Sequence, residues 1–511
     1  MQDPAFDNLT GRRGADAATP RIDPGVCWWV ILALLVAGFG AVRLRCIFND
    51  LWLDEVWTLH LLWGARPPIR SPLEILTRLR HDNNHPLNTL FIYALGPGVP
   101  DWAYRLLACG SGVASVWLAG LIGRRQYRLL DPQAPAGQAR VAGLLAATLV
   151  GGCYLLIHYA SEARGYSPAL GLSLLTLYAL LRGADRPASP WAIVYGLAGV
   201  LAVLAHSMAA SVLLAGLGCS IVEVVAPRGP WRGRFAALVG WHLPPCGACA
   251  GYYFLFIRGA TIGGAPPHSL LTALGELSAY TLGIPVNVGN CIPILILAAA
   301  ALAGLSAVRR RHRGLAMFYT LALLIPPLAA PWSGYRAAVY PRYLLLTGAW
   351  GLLLGGYLLA RLWVLRPVGR LACLALVVLF LVGNAVPTAR LVRYGRGQYS
   401  QALRYIATHT AGDEVVVSSD FDNANRLVIA YYSAAVVGKS WRYVPDRDWP
   451  SAGVDWYFRE RFDRGPRPPA TLHDRAGHDY HLEQVFPHAA LSGWDWYLYR
   501  QDRVPSAATA P

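Results

Sequence analysis

Eleven apolar runs divide residues 1–389 of this chain, and a run that crosses a hydrocarbon core about 30 Å thick leaves the backbone few options. In lipid every N–H and C=O must be satisfied within the protein, which a helix does within its own segment. The runs are Cys27 to Val42 and stretches near 103–123, 141–157, 166–182, 191–206, 208–225, 235–257, 288–308, 315–330, 343–360 and 371–389. They predict an all-α polytopic membrane domain. Only 14% of the 511 residues are charged and 55% are apolar, which excludes an ordinary soluble enzyme and a disordered chain. No small-residue cleavage pattern follows the first run, so it reads as a retained helix and not as a removed signal peptide.

Arginine placement orients the runs, because short cytoplasmic loops carry the basic excess. With the N-terminus inside, nineteen arginines fall in the tail and inner loops, while the short outer loops hold Arg164, Arg258, Arg336 and Arg342. The formal charge of +16 belongs almost wholly to residues 1–389. It therefore reads as topology and lipid head-group contact, with no nucleic-acid partner. The alternation holds only if Pro86 to Leu95 does not cross; ten helical residues rise about 15 Å, half of what is needed. Three divisions follow: a cytoplasmic tail over 1–26, a transmembrane domain over 27–389 with a large first outer loop at 43–102, and an extracytoplasmic domain over 390–511. The loop includes an amphipathic piece around Glu74 to Arg80. In the last division a helical stretch near Tyr399 to Thr408, a strand-like Asp413 to Ser419, a second helical stretch from Leu427 to Val437 and aromatic strands such as Trp494 to Tyr499 predict a small α/β fold. Its tryptophans and tyrosines suit either a core or a glycan platform. Residues 1–20 and 504–511 read as disordered.

Ionisable groups at membrane depth are costly, so those at the ends of crossings need a reason to be there. Under this topology they gather at the outer face: Asp54 and Glu55 between Trp52 and Trp57, His81-Asp-Asn-Asn-His85-Pro, Arg105, Glu162-Ala-Arg164-Gly-Tyr166, His206, and Arg342-Tyr343 after Pro341. One carboxylate of the Asp54-Glu55 pair can take a proton from an attacking hydroxyl while the other orients a substrate or cation. Glu162 and Arg164 pair with each other at a helix end, or Arg164 and Arg342 grip a phosphate in their planar guanidinium forks. His81 and His85, four apart around Asp82, would present two imidazoles on one helical face to a metal. A hard cation on Asp54, Glu55 or Asp82 oxygens is equally allowed. The metal is left open, with Glu55, His81, Asp82 and His85 as candidates.

An acidic pair in the first outer loop, His-Pro before a short apolar helix, an arginine opening the next crossing, Glu-Ala-Arg-x-Tyr, and Pro-Arg-Tyr before a late crossing together resemble the GT-C superfamily of membrane glycosyltransferases. The likeness is to the group with protein O-mannosyltransferases and the lipid A aminoarabinose transferase, and runs over about residues 27–389. It implies transfer of a single sugar from a polyprenyl-phosphate carrier, with no nucleotide cofactor, to an envelope acceptor that is a lipid, polysaccharide or protein. It also implies an integral protein of a bacterial cytoplasmic membrane. By the same resemblance Asp54 is the base and Glu55 assists acceptor or cation binding. Arg164 and Arg342 meet the donor phosphate, and His85, Arg105, Glu162, Tyr166 and Tyr343 shape the site. Leu87 stands where a second proline is common. A single base suits a single displacement, and hence inversion at the anomeric carbon. A transporter of lipid-linked sugars would instead place ionisable groups along a central path, and a ligase would use a lipid diphosphate-linked oligosaccharide.

Overall fold

The computed structural model describes residues 24–183, 189–226, 231–261, 267–286, 289–332, 338–463, 465–474 and 477–502. The N-terminal tail, Arg336 and the segments 1–20 and 504–511 lie outside these residues. Helix α1 (Pro24–Cys46) precedes four short helices of the outer loop: α2 (Leu53–Leu59), α3 (Pro72–Thr77), α4 (Pro86–Leu95) and α5 (Asp101–Tyr104). α4 has the ten residues expected of it and ends at Gly96, whose φ of 81° only glycine adopts readily. The longer helices follow: α6 (Leu106–Leu130), α7 (Ala136–Gly152) with α8 (Tyr154–Ala160), α9 (Tyr166–Gly183), α10 (Trp191–Ala205), α11 (Ala210–Val225) and α12 (Trp231–Tyr252). Next come α13 (Leu270–Leu282), α14 (Cys291–Arg309), α15 (Arg313–Ala329), α16 (Leu345–Val364) and α17 (Val368–Tyr394).

Six described helical stretches are long and apolar enough to cross a membrane, and the bent pair α7–α8 makes a seventh. This is an integral membrane protein. The remaining expected runs form α9, α10, α12 and α15, which are shorter, less apolar or interrupted by paired prolines (Pro244-Pro245, Pro326-Pro327). α13 falls where no crossing was expected; at thirteen residues it is too short to span.

Two details escaped the sequence pattern. The run near 141–157 bends by 62° between α7 and α8. A side chain on Gly151 would overlap the Phe39 ring, so α7 and α1 meet closely there. Arg43, expected in a loop, is instead buried in α1 and donates to Val150 O and Gly151 O, at 3.1 and 2.9 Å. It thereby satisfies carbonyls at the end of α7, where the helical ladder runs out.

Contacts sort the connecting loops into two ends. At one end Arg311 and Arg361 flank Asp131, Arg125 reaches Leu181 O, and Trp28 donates to Arg140 O. At the other, residue 81 bridges to 261, and Asp54 meets Arg164 and Arg342.

The C-terminal part packs α18 (Tyr399–His409) and α19 (Asp422–Ser433) on a six-stranded sheet of β1 (Glu414–Ser419), β2 (Ser440–Tyr443), β3 (Trp456–Arg461), β4 (Thr471–His473), β5 (Asp479–Phe486) and β6 (Asp495–Gln501). The order is β2-β1-β3-β6-β5-β4, with β1 parallel to both neighbours and the rest antiparallel. Trp456, Trp494 and Trp496 are buried, so these tryptophans serve the core and not a glycan platform. That core also takes in Trp52 of the outer loop. Asp50 accepts from Ser400 N and Oγ (2.7 and 3.0 Å), Tyr432 donates to Leu51 O (3.1 Å) and Tyr431 to Asp101 (2.6 Å). The soluble part is thus fastened to the segment that leads into α2.

Candidate active site

Adjacent residues on a helix point about 100° apart, and on α2 that angle divides the acidic pair. Glu55, at the third position of the helix, turns inward and is fully buried. Its carboxylate accepts from Arg105 Nε and Nη2 (2.7 and 2.5 Å), Ala163 N (2.6 Å) and Trp52 N (3.1 Å), the last being the returning half of a capping box. Burial pushes its pKa up, but the Arg105 charge overrides this and holds it below the usual carboxylate range. Arg105 also donates to the carbonyls of Ile47, Asn49 and Asp50. The pair is therefore a clamp that shapes residues 47–55; neither Glu55, expected to assist acceptor or cation binding, nor Arg105, expected to shape the site, lines the cavity described below.

Asp54 turns the other way, into a cavity of about 1110 Å³. Its Oδ2 lies 2.6 Å from Arg164 Nη1 and 3.4 Å from Arg342 Nη1. Asn83 steadies this arrangement: its Nδ2 donates to Asp54 O and Thr58 Oγ1 (both 2.9 Å), and its Oδ1 accepts from Arg164 Nη1 at 2.5 Å. The Arg164 guanidinium lies 5.5 Å from the Tyr166 ring; that of Arg342 lies against Tyr340, Tyr343 and Trp52 at 4.7, 5.4 and 5.8 Å. Aromatic faces favour a cation held there.

Glu162 does not pair with Arg164. It accepts from the Trp52 indole N–H (2.8 Å) and from Ser492 Oγ (3.4 Å), with Arg396 Nε at 3.8 Å. Burial outweighs the Arg396 charge and raises its pKa. It is fully buried and stands behind the cavity wall, where it joins Trp52 to the C-terminal part.

His85 does line the cavity, with Nδ1 3.1 Å from Ala205 O and its ring stacked 5.1 Å from His206. Burial and the nearby Arg164 charge hold its pKa well down, so the imidazole is neutral. Tyr166, His206 and Tyr343 complete this wall. The helical face expected to carry His81 and His85 together does not form. Pro86 starts α4, the residue before a proline avoids the helical region, and residues 81–84 turn instead. His81 Nδ1 meets Asp82 at 2.8 Å and accepts from Asn83 N.

The metal candidates Glu55, His81, Asp82 and His85 do not converge on one point among the described residues. Asp54 is already matched by two guanidinium groups, Glu55 is enclosed by four donors, and among the described residues no three His, Cys, Asp or Glu side chains converge. The charge presented to the cavity suits an anion. Beyond the polar wall the cavity becomes apolar, lined by Leu76, Leu79, Tyr252, Tyr253, Phe256 and Ile257. From the opposite side Phe421, Asn423 and Ala424 of the C-terminal part complete it. Sequence reasoning missed these last three, which carry no charge or motif. It also passed over Asn83, although the polar stretch around it was visible.

No protein-family profile and no curated protein matches the sequence. Among solved structures the chain is similar to ArnT from Cupriavidus metallidurans in the apo state, with 14% identity over 83% of this chain and 87% of that one and a TM-score of 0.47. It is also similar to the Archaeoglobus fulgidus oligosaccharyltransferase in complex with Zn and sulfate, with 11% identity over 83% of this chain and 68% of that one and a TM-score of 0.43.

Proposed function

We propose that this protein is an inverting membrane glycosyltransferase that moves one sugar from a polyprenyl-phosphate carrier to an envelope acceptor at the outer membrane face. The observation that carries the reading is Asp54 at the wall of a part-polar, part-apolar cavity, with arginines from two distant segments, Arg164 and Arg342, converging on it. An apolar surface suits a prenyl chain, two guanidinium forks suit its phosphate, and a carboxylate beside them suits a base.

In the step proposed, Asp54 takes the proton of the acceptor hydroxyl. The oxygen forms a bond to the anomeric carbon, and the bond from that carbon to the phosphate oxygen breaks. The electron pair leaves with polyprenyl phosphate, whose growing charge Arg164 and Arg342 meet. One displacement inverts the anomeric centre. Eleven crossings, with the N-terminus cytoplasmic and residues 390–511 outside, would put the cavity at the outer face of a bacterial cytoplasmic membrane.

The test is release of free polyprenyl phosphate by purified protein given a panel of polyprenyl-phosphate sugars and envelope acceptors. Release by wild type and its loss in a folded Asp54→Asn variant are expected. Release that persists in that variant, or a product with the donor's anomeric configuration, would overturn the reading.

A further inference from the structure

The Asp54 carboxylate sits where the chemistry of the cavity calls for a different anion. Both arginines bring an Nη1 to the same oxygen, Oδ2, at 2.6 Å for Arg164 and 3.4 Å for Arg342, while the Nε of Arg164 and that of Arg342 are buried and have no hydrogen-bond partner. Two guanidinium forks thus share one carboxylate. A phosphate brings more acceptor oxygens than a carboxylate, and the forks match it. The backbone at Asp54 is pinned, since its carbonyl accepts from Asn83 Nδ2 (2.9 Å) and Thr58 Oγ1 (3.0 Å). The side chain is 20% exposed to the cavity, so rotation about its own bonds suffices to move the carboxylate off the arginines.

We propose that Asp54 is a placeholder for phosphate: without donor its carboxylate fills the Arg164–Arg342 anion site, and an arriving phosphate takes that site and sets the carboxylate free. This rests on the proposed glycosyl transfer and adds an order to it. In the empty enzyme the base is tied to two cations and activates neither water nor acceptor. When the phosphate of the donor sits between the arginines, Asp54 turns to the acceptor hydroxyl. After transfer the phosphate is a monoester with more charge than the donor's diester and binds the arginines more strongly. Once Asp54 has passed its proton to solvent, the recovered carboxylate competes for the same N–H groups and helps to expel the product.

The exchange predicts a direction that a merely structural Asp54 would not give: removing its charge should tighten phosphate binding. The experiment measures binding of polyprenyl phosphate to full-length protein in lipid nanodiscs for wild type, Asp54→Asn, Asp54→Ser and Arg342→Gln. Inorganic phosphate alone and phosphatidylglycerol-rich nanodiscs serve as separate arms. Polyprenyl phosphate should bind Asp54→Asn about tenfold tighter than wild type or more, the equivalent of one lost competing ionic contact, and dissociate more slowly. Asp54→Ser should behave alike, which covers failure of either variant to fold, and Arg342→Gln should bind weakly. Inorganic phosphate should show the same ranking at lower affinity; a ranking seen only with phosphatidylglycerol would assign the site to a lipid head group and overturn the proposal. Binding to wild type that is unchanged or weaker in both Asp54 variants would overturn the exchange while leaving glycosyl transfer standing. No binding of polyprenyl phosphate to any of the proteins would overturn both.

Discussion

Replacing Arg105 by Met tests whether the Glu55–Arg105 pair is a clamp or part of the chemistry. The substitution leaves the fully buried Glu55 carboxylate with only two donors, Ala163 N and Trp52 N, and removes the donor shared by the carbonyls of Ile47, Asn49 and Asp50. Breaking a buried ion pair from one side costs about 3–5 kcal/mol, because the remaining charge is uncompensated. Adding Glu55→Leu removes that orphaned charge. The double variant should recover part of the loss but not all, since the three carbonyls still lack their donor at about 1–3 kcal/mol for a group left unsatisfied. The assay is thermal and denaturant unfolding of purified protein followed by tryptophan fluorescence, with Trp52 as a nearby reporter. Sign matters as well: the folded pKa of Glu55 lies below its ordinary value, so its contribution is complete above that value and is lost as pH falls through the folded one. Wild type should therefore lose stability in acid more steeply than the double variant. A Glu55→Gln protein that melts like wild type yet has no activity would refute the clamp and return Glu55 to the chemistry.

Three further outcomes are expected. His488 lies between Asp495 (2.7 Å) and Asp463 (3.0 Å), and although burial lowers its pKa these partners raise it to about 9. It should contribute roughly 2–3 kcal/mol near neutrality, fully present below its unfolded pKa and lost as pH rises through about 9, which an alkaline melting series of wild type against His488→Gln would show. Trp52→Phe removes the hydrogen bond to Glu162 and weakens the aromatic seat of Arg342, so KM for donor should rise several-fold with a smaller change in kcat, read in the release assay. Asn423→Ala, on the cavity wall contributed by the C-terminal part, should change the ranking of acceptors while leaving polyprenyl phosphate affinity within about twofold, as competition among acceptors would show.

Asp54, Arg164 and Arg342 were legible because a charged side chain at the end of an apolar run is expensive, and the alternation of loops put all three at one level. Glu55 was not separable from Asp54 by the same logic. Both are acids in one motif, and only the turn of α2 decides that one meets Arg105 and the other the cavity. Glu162 misled for a related reason: its neighbour in sequence, Arg164, was the obvious partner, whereas the bonds made are to Trp52 and Ser492, 110 and 330 residues away. The helices were readable from apolarity, but the bend between α7 and α8 and the close approach of Gly151 to Phe39 of α1 are facts of packing and not of pattern. Phe421 and Asn423 gave no signal, since an uncharged residue in a soluble domain looks the same whether or not it faces a cavity.

Trp52 lies two residues before Asp54 and packs in the core built around Trp494 and Trp496. A nascent chain inserts its helices in order, so the acid is in place early, yet the indole beside it finds its surroundings only when almost the whole polypeptide has been made. Synthesis halted short of the last strand would leave every membrane helix present and the wall behind Arg342 unfinished. Such a fragment would hold its membrane helices without the packing that seats Trp52.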